Sequence, residues 1–84
     1  MDDGAILQRL TEIFRQIFDD DTLELTAETT ADDVEGWDSF NHINVIAATE
    51  ANFGVKFATA ELDDLKNVGH LADLVKKKLD AAKI

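Results

Sequence analysis

Residues 36–54 read GWDSFNHINVIAATEANFG, and this stretch decides the fold. Asp38 is a good helix N-cap, because its carboxylate can accept a hydrogen bond from a backbone N–H of the first turn. Gly54 stands where a left-handed residue commonly ends a helix. The residues between them that recur at helical spacing are Phe40, Ile43, Ile46, Ala47, Glu50 and Phe53. The stretch therefore predicts a helix over 39–53, with Ser39 at its positive end.

An amphipathic helix precedes this one, over about 4–18. Its apolar residues fall at i, i+3, i+4 and i+7 spacing: Ile6, Leu7, Leu10, Ile13, Phe14, Ile17 and Phe18. The periodicity then disappears from Asp19 to Trp37, and connections of that length tend to be functional or partly self-structured. Thr30 and Asp33 have the spacing of a capping box, so we expect a short turn inside this loop.

The remainder of the chain predicts an extended connection and two more helices. Residues 55–57 alternate like a strand, but no second strand pattern exists to pair with them. We expect Thr59 to cap a short helix that contains Leu62 and Leu65, and Asn67 to cap a last helix. The apolar face of the last helix comprises Val68, Leu71, Ala72, Val75 and Leu79. The lysines near its negative end are Lys76, Lys77, Lys78 and Lys83.

These elements predict an all-α fold, a small four-helix bundle of three longer helices and one short helix with a long loop between the first two. We expect residues 1–84 to form a single domain with one small core. The side chains assigned to that core are Phe14, Phe18, Ile43, Ile46, Phe53, Leu71 and Val75. Because the chain has no cysteine, it can form no disulfide, no thiolate metal site and no cysteine nucleophile.

The charge of the chain is distributed unevenly. The formal net charge is −10, and residues 16–55 contain ten Asp and Glu but no Lys or Arg. Nucleic acid and anionic membrane surfaces would repel such a chain, so we expect basic protein patches as partners instead. No apolar run reaches the roughly 18 to 20 residues of a membrane span. The N-terminus lacks the positive region of a signal peptide, so we expect a cytoplasmic protein without membrane insertion.

Three alternative sites do not match the chemistry that they require. Asp38, Ser39 and His42 are close in sequence, but a hydrolase also needs an orienting acid, an oxyanion hole and a cleft, for which a small bundle has little room. The acids of residues 19–24 do not follow the pattern of a calcium-binding EF-hand loop. His42 and His70 are too few and too far apart in sequence to indicate a zinc site. On local evidence alone, Asp38 and Ser39 would merely start a helix.

The combination across the chain resembles the acyl carrier proteins, the four-helix family that binds phosphopantetheine. The residues that carry the resemblance are Gly-x-Asp-Ser at 36–39 with the large apolar Phe40, and then Glu50-x-x-Phe53-Gly54-Val55-x-Phe57. The resemblance implies that Ser39 is an attachment point and not a catalyst. A separate phosphopantetheinyl transferase, using coenzyme A and magnesium, would move 4'-phosphopantetheine onto its hydroxyl. Acyl groups would then be carried as thioesters on the terminal thiol of that arm, and the protein would not be an enzyme.

The resemblance also implies a docking surface for acyl-activating or acyl-transfer enzymes with basic patches. The residues that we assign to it are Asp33, Glu35, Trp37, Asp38, Phe40, His42 and Asn44. In fatty-acid-synthesis carriers, acids are typical where Asn41, His42 and Asn44 stand, and Trp37 looks more like carriers of a specialised pathway. Trp37 also has a simpler interpretation, in which it fills the edge of the core. His42 is a candidate contact for the phosphate in its protonated form.

Three functions stay open at this point. The chain could carry acyl groups in fatty-acid-like or specialised biosynthesis. It could carry an aminoacyl cargo, as peptidyl or D-alanyl carriers do. It could also be an unmodified acidic helical adaptor with the carrier fold. In each case we expect a monomer.

Overall fold

A computed structural model describes residues 3–63 and 65–81 of the chain. The elements of this part are α1 (Asp3–Ile17), a 3₁₀ turn (Ala31–Asp33), α2 (Ser39–Phe53), α3 (Thr59–Asp63) and α4 (Val68–Ala81). The prediction of three longer helices, one short helix and a long first loop is confirmed. No described helix is long and apolar enough to cross a membrane. Lys83, the last of the predicted cations, lies outside the described residues.

The core forms around α1, because α1 packs along both α2 and α4. Ile6, Leu10 and Phe14 on α1 are fully buried, and Ile13 is nearly so. The other buried members of the core cluster are Leu25, Val34, Val45, Ile46, Val68, Leu71 and Val75. Burying one such side chain stabilises the fold by roughly 1.5–3 kcal/mol before the entropy of ordering is subtracted. The packing of this core therefore stabilises a chain that has no disulfide.

The buried face of α2 differs from the predicted one. The helical periodicity assigns Ile43 to the core, but its side chain is 67% exposed, so this prediction is wrong. The helix instead buries Val45, Ile46 and Thr49. Thr49 can lie in the core because its hydroxyl donates a hydrogen bond to the Val45 carbonyl at 2.7 Å. Apolar residues occur on several sides of α2, and packing against α1 decides which of them are buried.

The other core predictions agree with the structure. The buried side chains among them are Phe14, Ile46, Leu71 and Val75. Phe18 and Phe53 are partly buried and pack against the same cluster.

The long loop is held against the N-terminus of α4. The Val68 N–H donates to the Thr29 carbonyl and the Gly69 N–H donates to the Ala27 carbonyl, both at 2.8 Å. The buried Thr29 is also fixed within the loop, because its hydroxyl accepts a hydrogen bond from the Thr26 N–H at 2.9 Å. A Cβ atom at position 69 would lie only 2.7 Å from the Ala27 carbonyl oxygen. The loop can therefore approach α4 this closely only because residue 69 has no side chain.

Three local signals in the sequence are confirmed. Gly54 ends α2 in the left-handed conformation, with φ 67°. Asn67 caps α4, since its Oδ1 accepts a hydrogen bond from the His70 N–H at 2.9 Å. The 3₁₀ turn forms where the capping-box spacing places it, and the Asp33 carboxylate accepts from the Thr30 N–H at 3.0 Å.

α3 begins and ends at different residues from those predicted. Thr59 is its first helical residue and not its cap, and Leu65 lies beyond its end. The preceding Ala58 has no side chain that could cap the helix, and its N–H donates to the Glu61 carboxylate at 2.8 Å. Glu61 also pairs with Lys78 of α4 at 2.8 Å. The hydrogen bond from Lys78, followed by the one from Ala58, lowers the pKa of Glu61 below its ordinary value near 4.5.

Candidate functional site

A tight turn in front of α2 sets the direction in which the helix begins. Gly36 has φ 87°, a conformation that glycine adopts without the steric cost imposed by a Cβ. The Gly36 carbonyl accepts a hydrogen bond from the Asp38 N–H at 3.0 Å. It accepts a second one from the side-chain amide of Asn41 at 2.7 Å. Because Asn41 belongs to the first turn of α2, this amide fastens the helix to the turn that precedes it.

Asp38 caps α2, and this leaves the Ser39 hydroxyl free. The Asp38 Oδ1 accepts from the Asn41 N–H at 2.9 Å, as predicted for an N-cap. Ser39 is the first residue of the helix and is exposed. Within the described ranges, its hydroxyl makes no hydrogen bond. The interpretation that Ser39 only helps to start the helix is therefore weakened, because its neighbour does the capping.

Trp37 connects the site with the core. Its indole packs edge-on against Phe14, with ring centroids 5.0 Å apart and planes at 85°. It also stacks with His42, at a centroid distance of 6.0 Å and an angle of 22°. The indole Nε1–H donates a hydrogen bond to His42 Nδ1 at 3.2 Å. Trp37 thus fills the core edge, as its simpler interpretation has it, and at the same time holds a histidine close to Ser39.

An open cavity of about 540 Å³ lies beside Ser39. Besides the serine, its lining includes Trp37, His42, Ile43, Leu65, Asn67 and Leu71. The first three belong to the segment around the start of α2, and the last three belong to the α3–α4 connection and to α4. The walls are largely apolar, so the cavity offers a surface on which a flexible chain attached at Ser39 can lie.

The predicted docking residues fall into two groups. Trp37, Asp38 and His42 line the cavity together with Ser39. The others lie on the surface outside it and are Asp33, Glu35, Phe40 and Asn44. Among them Phe40 stands out, because its side chain is 73% exposed directly after the serine. A phenyl ring so exposed offers an apolar contact to a second molecule.

Sequence reasoning missed the part of the site that comes from distant segments. Leu65, Lys66 and Asn67 line the cavity, although the sequence suggested only a helix position and a cap there. Nothing in their local pattern connects them with Ser39. Asn41 was also missed, because its side chain donates to the Gly36 carbonyl and does not accept from the N-cap N–H as in a capping box.

The site suits a phosphodiester attached to Ser39. The N–H groups of Ser39 and Phe40 have no acceptor among the described residues, as is usual in the first turn of a helix. Free N–H groups and the helix dipole both favour negative charge at this end. Together with the exposed hydroxyl and the cavity beside it, they fit a 4'-phosphopantetheine group. Within the described part of the chain, no three His, Asp or Glu side chains are grouped so as to hold a metal ion.

Comparisons with known proteins bear on this site. A family model described as a phosphopantetheine attachment site matches residues 8–75. No curated protein matches the chain significantly. Among solved structures, the chain is similar to the solution NMR structure of the holo acyl carrier protein from Geobacter metallireducens. The two are 55% identical with a TM-score of 0.86, over 92% of this chain and 88% of that chain. The protein therefore belongs to the acyl carrier protein family, whose members are carriers and not enzymes.

Proposed function

We propose that this protein carries acyl groups as thioesters on a 4'-phosphopantetheine arm attached to Ser39. The observation that carries this proposal is the exposed, unbonded hydroxyl of Ser39 at the start of a helix that Asp38 already caps. Ser39 is also the only serine in the chain. Because the chain has no cysteine, the thiol that forms the thioester has to come from the arm.

Attachment is the work of a separate phosphopantetheinyl transferase, with coenzyme A as donor and magnesium as cofactor. The Ser39 oxygen forms a bond to phosphorus while the phosphoanhydride bond of coenzyme A breaks. The hydroxyl proton and adenosine 3',5'-bisphosphate are released. The carrier contributes an accessible hydroxyl and free backbone N–H groups near the position of the new phosphodiester.

The surface around Ser39 supports docking by enzymes with basic patches. The exposed acids of the loop before α2 include Asp32, Asp33 and Glu35, and no Lys or Arg occurs from residue 16 to residue 55. An excess of acids near the serine steers a basic partner toward it and speeds association without requiring tight binding.

After Ser39, α2 carries only one acid, Glu50. Its side chain accepts a hydrogen bond from the Phe57 N–H at 2.9 Å and so connects α2 with the segment that follows it. The recognition charges are therefore displaced into the loop, while the first turns of α2 offer Phe40 and the exposed Ile43. This favours a carrier for its own set of enzymes in a specialised pathway. The cytoplasmic location and the monomeric state remain predictions.

The attachment is tested by mass spectrometry. The apo protein is incubated with coenzyme A, magnesium and a permissive phosphopantetheinyl transferase. We expect one phosphopantetheine adduct per chain in the wild type and none in Ser39→Ala. Thr59→Ala is a matched control, because Thr59 is also an exposed hydroxyl residue at the first position of a helix. This variant should be modified like the wild type. A wild type without an adduct, as expected of an unmodified adaptor, or an adduct that survives Ser39→Ala, would refute the proposal.

The class of cargo needs a second measurement. The modified protein is offered to acyl-activating enzymes that use fatty or other carboxylic acids, and to enzymes that activate amino acids. We expect thioester formation with the first group. Loading by the amino acid enzymes alone would make the protein an aminoacyl carrier.

A further inference from the structure

The hydrogen bond from Trp37 determines which ring nitrogen of His42 carries the proton. The indole Nε1–H can only donate, so its hydrogen bond to His42 Nδ1 at 3.2 Å requires that Nδ1 carries no proton. In a neutral imidazole the proton then resides on Nε2. Trp37 is itself fixed by its edge-on contact with the fully buried Phe14. A chain of contacts that ends in the core thus determines both the orientation and the tautomer of His42.

This tautomer leaves the Nε2–H of His42 as a donor. Among the described residues, no atom accepts a hydrogen bond from it. His42 is half-buried and lines the same cavity as Ser39. The two residues are three positions apart in α2, so their Cβ atoms are neighbours at about 5–6 Å. Helical side chains also lean toward the N-terminus, which brings the imidazole toward the serine.

We propose that His42 Nε2–H donates a hydrogen bond to the phosphodiester on Ser39, and that Trp37 holds His42 in the tautomer that permits it. This inference rests on the proposed attachment at Ser39. The phosphate is the first group of the arm, so an oriented donor beside it directs the arm relative to the cavity. His42 is then a positioning residue that acts on the arm through the phosphate. This proposal uses the tautomer that the bond from Trp37 requires, whereas the sequence-based expectation of a contact by protonated His42 stays a separate prediction.

Lys66 is the competing donor. It also lines the cavity and carries a positive charge. Its side chain has no partner among the described residues, and the residue is exposed. His42 is favoured because its donor is already oriented by Trp37, whereas a free lysine side chain has to be ordered first.

His70 provides a matched control within the same chain. Its Nδ1 accepts a hydrogen bond from the Lys66 N–H at 3.2 Å, so it has the same tautomer as His42. It lines a different surface depression, with Glu61 and Asp73, and not the cavity beside Ser39. NMR spectra that correlate imidazole nitrogens with ring protons are recorded for the unmodified and the modified protein. We expect the Nε2 signal of His42 to shift on modification and the His70 signals to stay in place.

Phosphorus NMR of the modified protein gives the second readout. His42→Ala should shift the phosphodiester resonance, and His70→Ala should leave it unchanged. Trp37→Phe keeps an aromatic ring against Phe14 but removes the Nε1 donor, so it should mix the two His42 tautomers and also shift the phosphorus signal. Circular dichroism establishes that each variant is folded. The wild-type spectra decide the question even if His42→Ala does not fold.

The outcomes separate this inference from the proposed function. An intact adduct with unchanged His42 signals would overturn the inference and leave the attachment at Ser39 standing. The inference would also be overturned if Lys66→Ala shifts the phosphorus resonance while His42→Ala does not, since the lysine would then be the donor. Absence of any adduct on Ser39 would overturn both.

Discussion

Replacing Gly69 with alanine should destabilise the fold, although the substitution is made inside a helix. Gly69 is the second residue of α4, and its N–H donates to the Ala27 carbonyl at 2.8 Å. The new Cβ would lie 2.7 Å from that carbonyl oxygen and 3.1 Å from the Ala27 Cβ. Both obstacles are backbone or directly attached to it, so no flexible side chain can move aside. The loop has to move away from α4.

The expected cost is about 2 kcal/mol of unfolding free energy. Overpacking by one methyl group costs about 1–3 kcal/mol. Weakening the hydrogen bond between the Gly69 N–H and Ala27 adds about 1 kcal/mol. The better helix propensity of alanine offsets less than about 1 kcal/mol, because the position lies in the first turn. For a domain of this size, 2 kcal/mol corresponds to a fall in Tm of about 8–16 °C.

Urea denaturation followed by circular dichroism measures this difference, and the slope of the transition should stay unchanged. Gly4→Ala is the matched control, because Gly4 is also the second residue of a helix but is exposed. We expect Gly4→Ala to be neutral or slightly stabilising. Hydrogen exchange at residue 69 should be faster in Gly69→Ala than in the wild type. If the free energy of unfolding of Gly69→Ala lies within about 0.5 kcal/mol of the wild-type value, the loop is not held by this close approach.

Three further predictions follow from the local contacts. Asp38→Ala should cost about 1 kcal/mol in a urea titration through the lost cap, while Asp38→Asn should cost only a few tenths. Ile46→Ala should lower the free energy of unfolding by about 2–5 kcal/mol. Ile43→Ala should change it by less than about 0.5 kcal/mol, because Ile43 is exposed. Equal costs for the two variants would contradict the observed buried face of α2. The pKa of Glu61 is lowered in the folded state by Lys78, so its charge contributes stability above pH 4.5 that is lost as the pH falls below that value. In denaturation experiments, Glu61→Gln should therefore be less stable than the wild type at neutral pH but not at acidic pH. A difference in stability that persists in acid would argue against the ion pair.

The sequence predicted best those features that depend on hydrogen bonds between near neighbours. Asp38 and Asn67 cap their helices, and Gly54 ends α2, because each interaction involves residues at most four positions apart. The same reasoning failed at α3, where Thr59 was expected to be the cap. There the Glu61 carboxylate accepts from the Ala58 N–H, which is the reciprocal half of a capping box, and Thr59 lies inside the helix.

By itself, the sequence determined that Ser39 begins a helix in an acidic stretch, and that no cysteine of the chain can supply a thiol. Only the tertiary structure decided which side of α2 faces α1, and it turned Ile43 outward where periodicity had placed it in the core. It also brought Leu65 to the cavity beside Ser39, and it joined Trp37 to His42. The physical reason is that capping hydrogen bonds are completed within one helical turn. Burial and cavity shape depend instead on segments that meet only after the chain has folded.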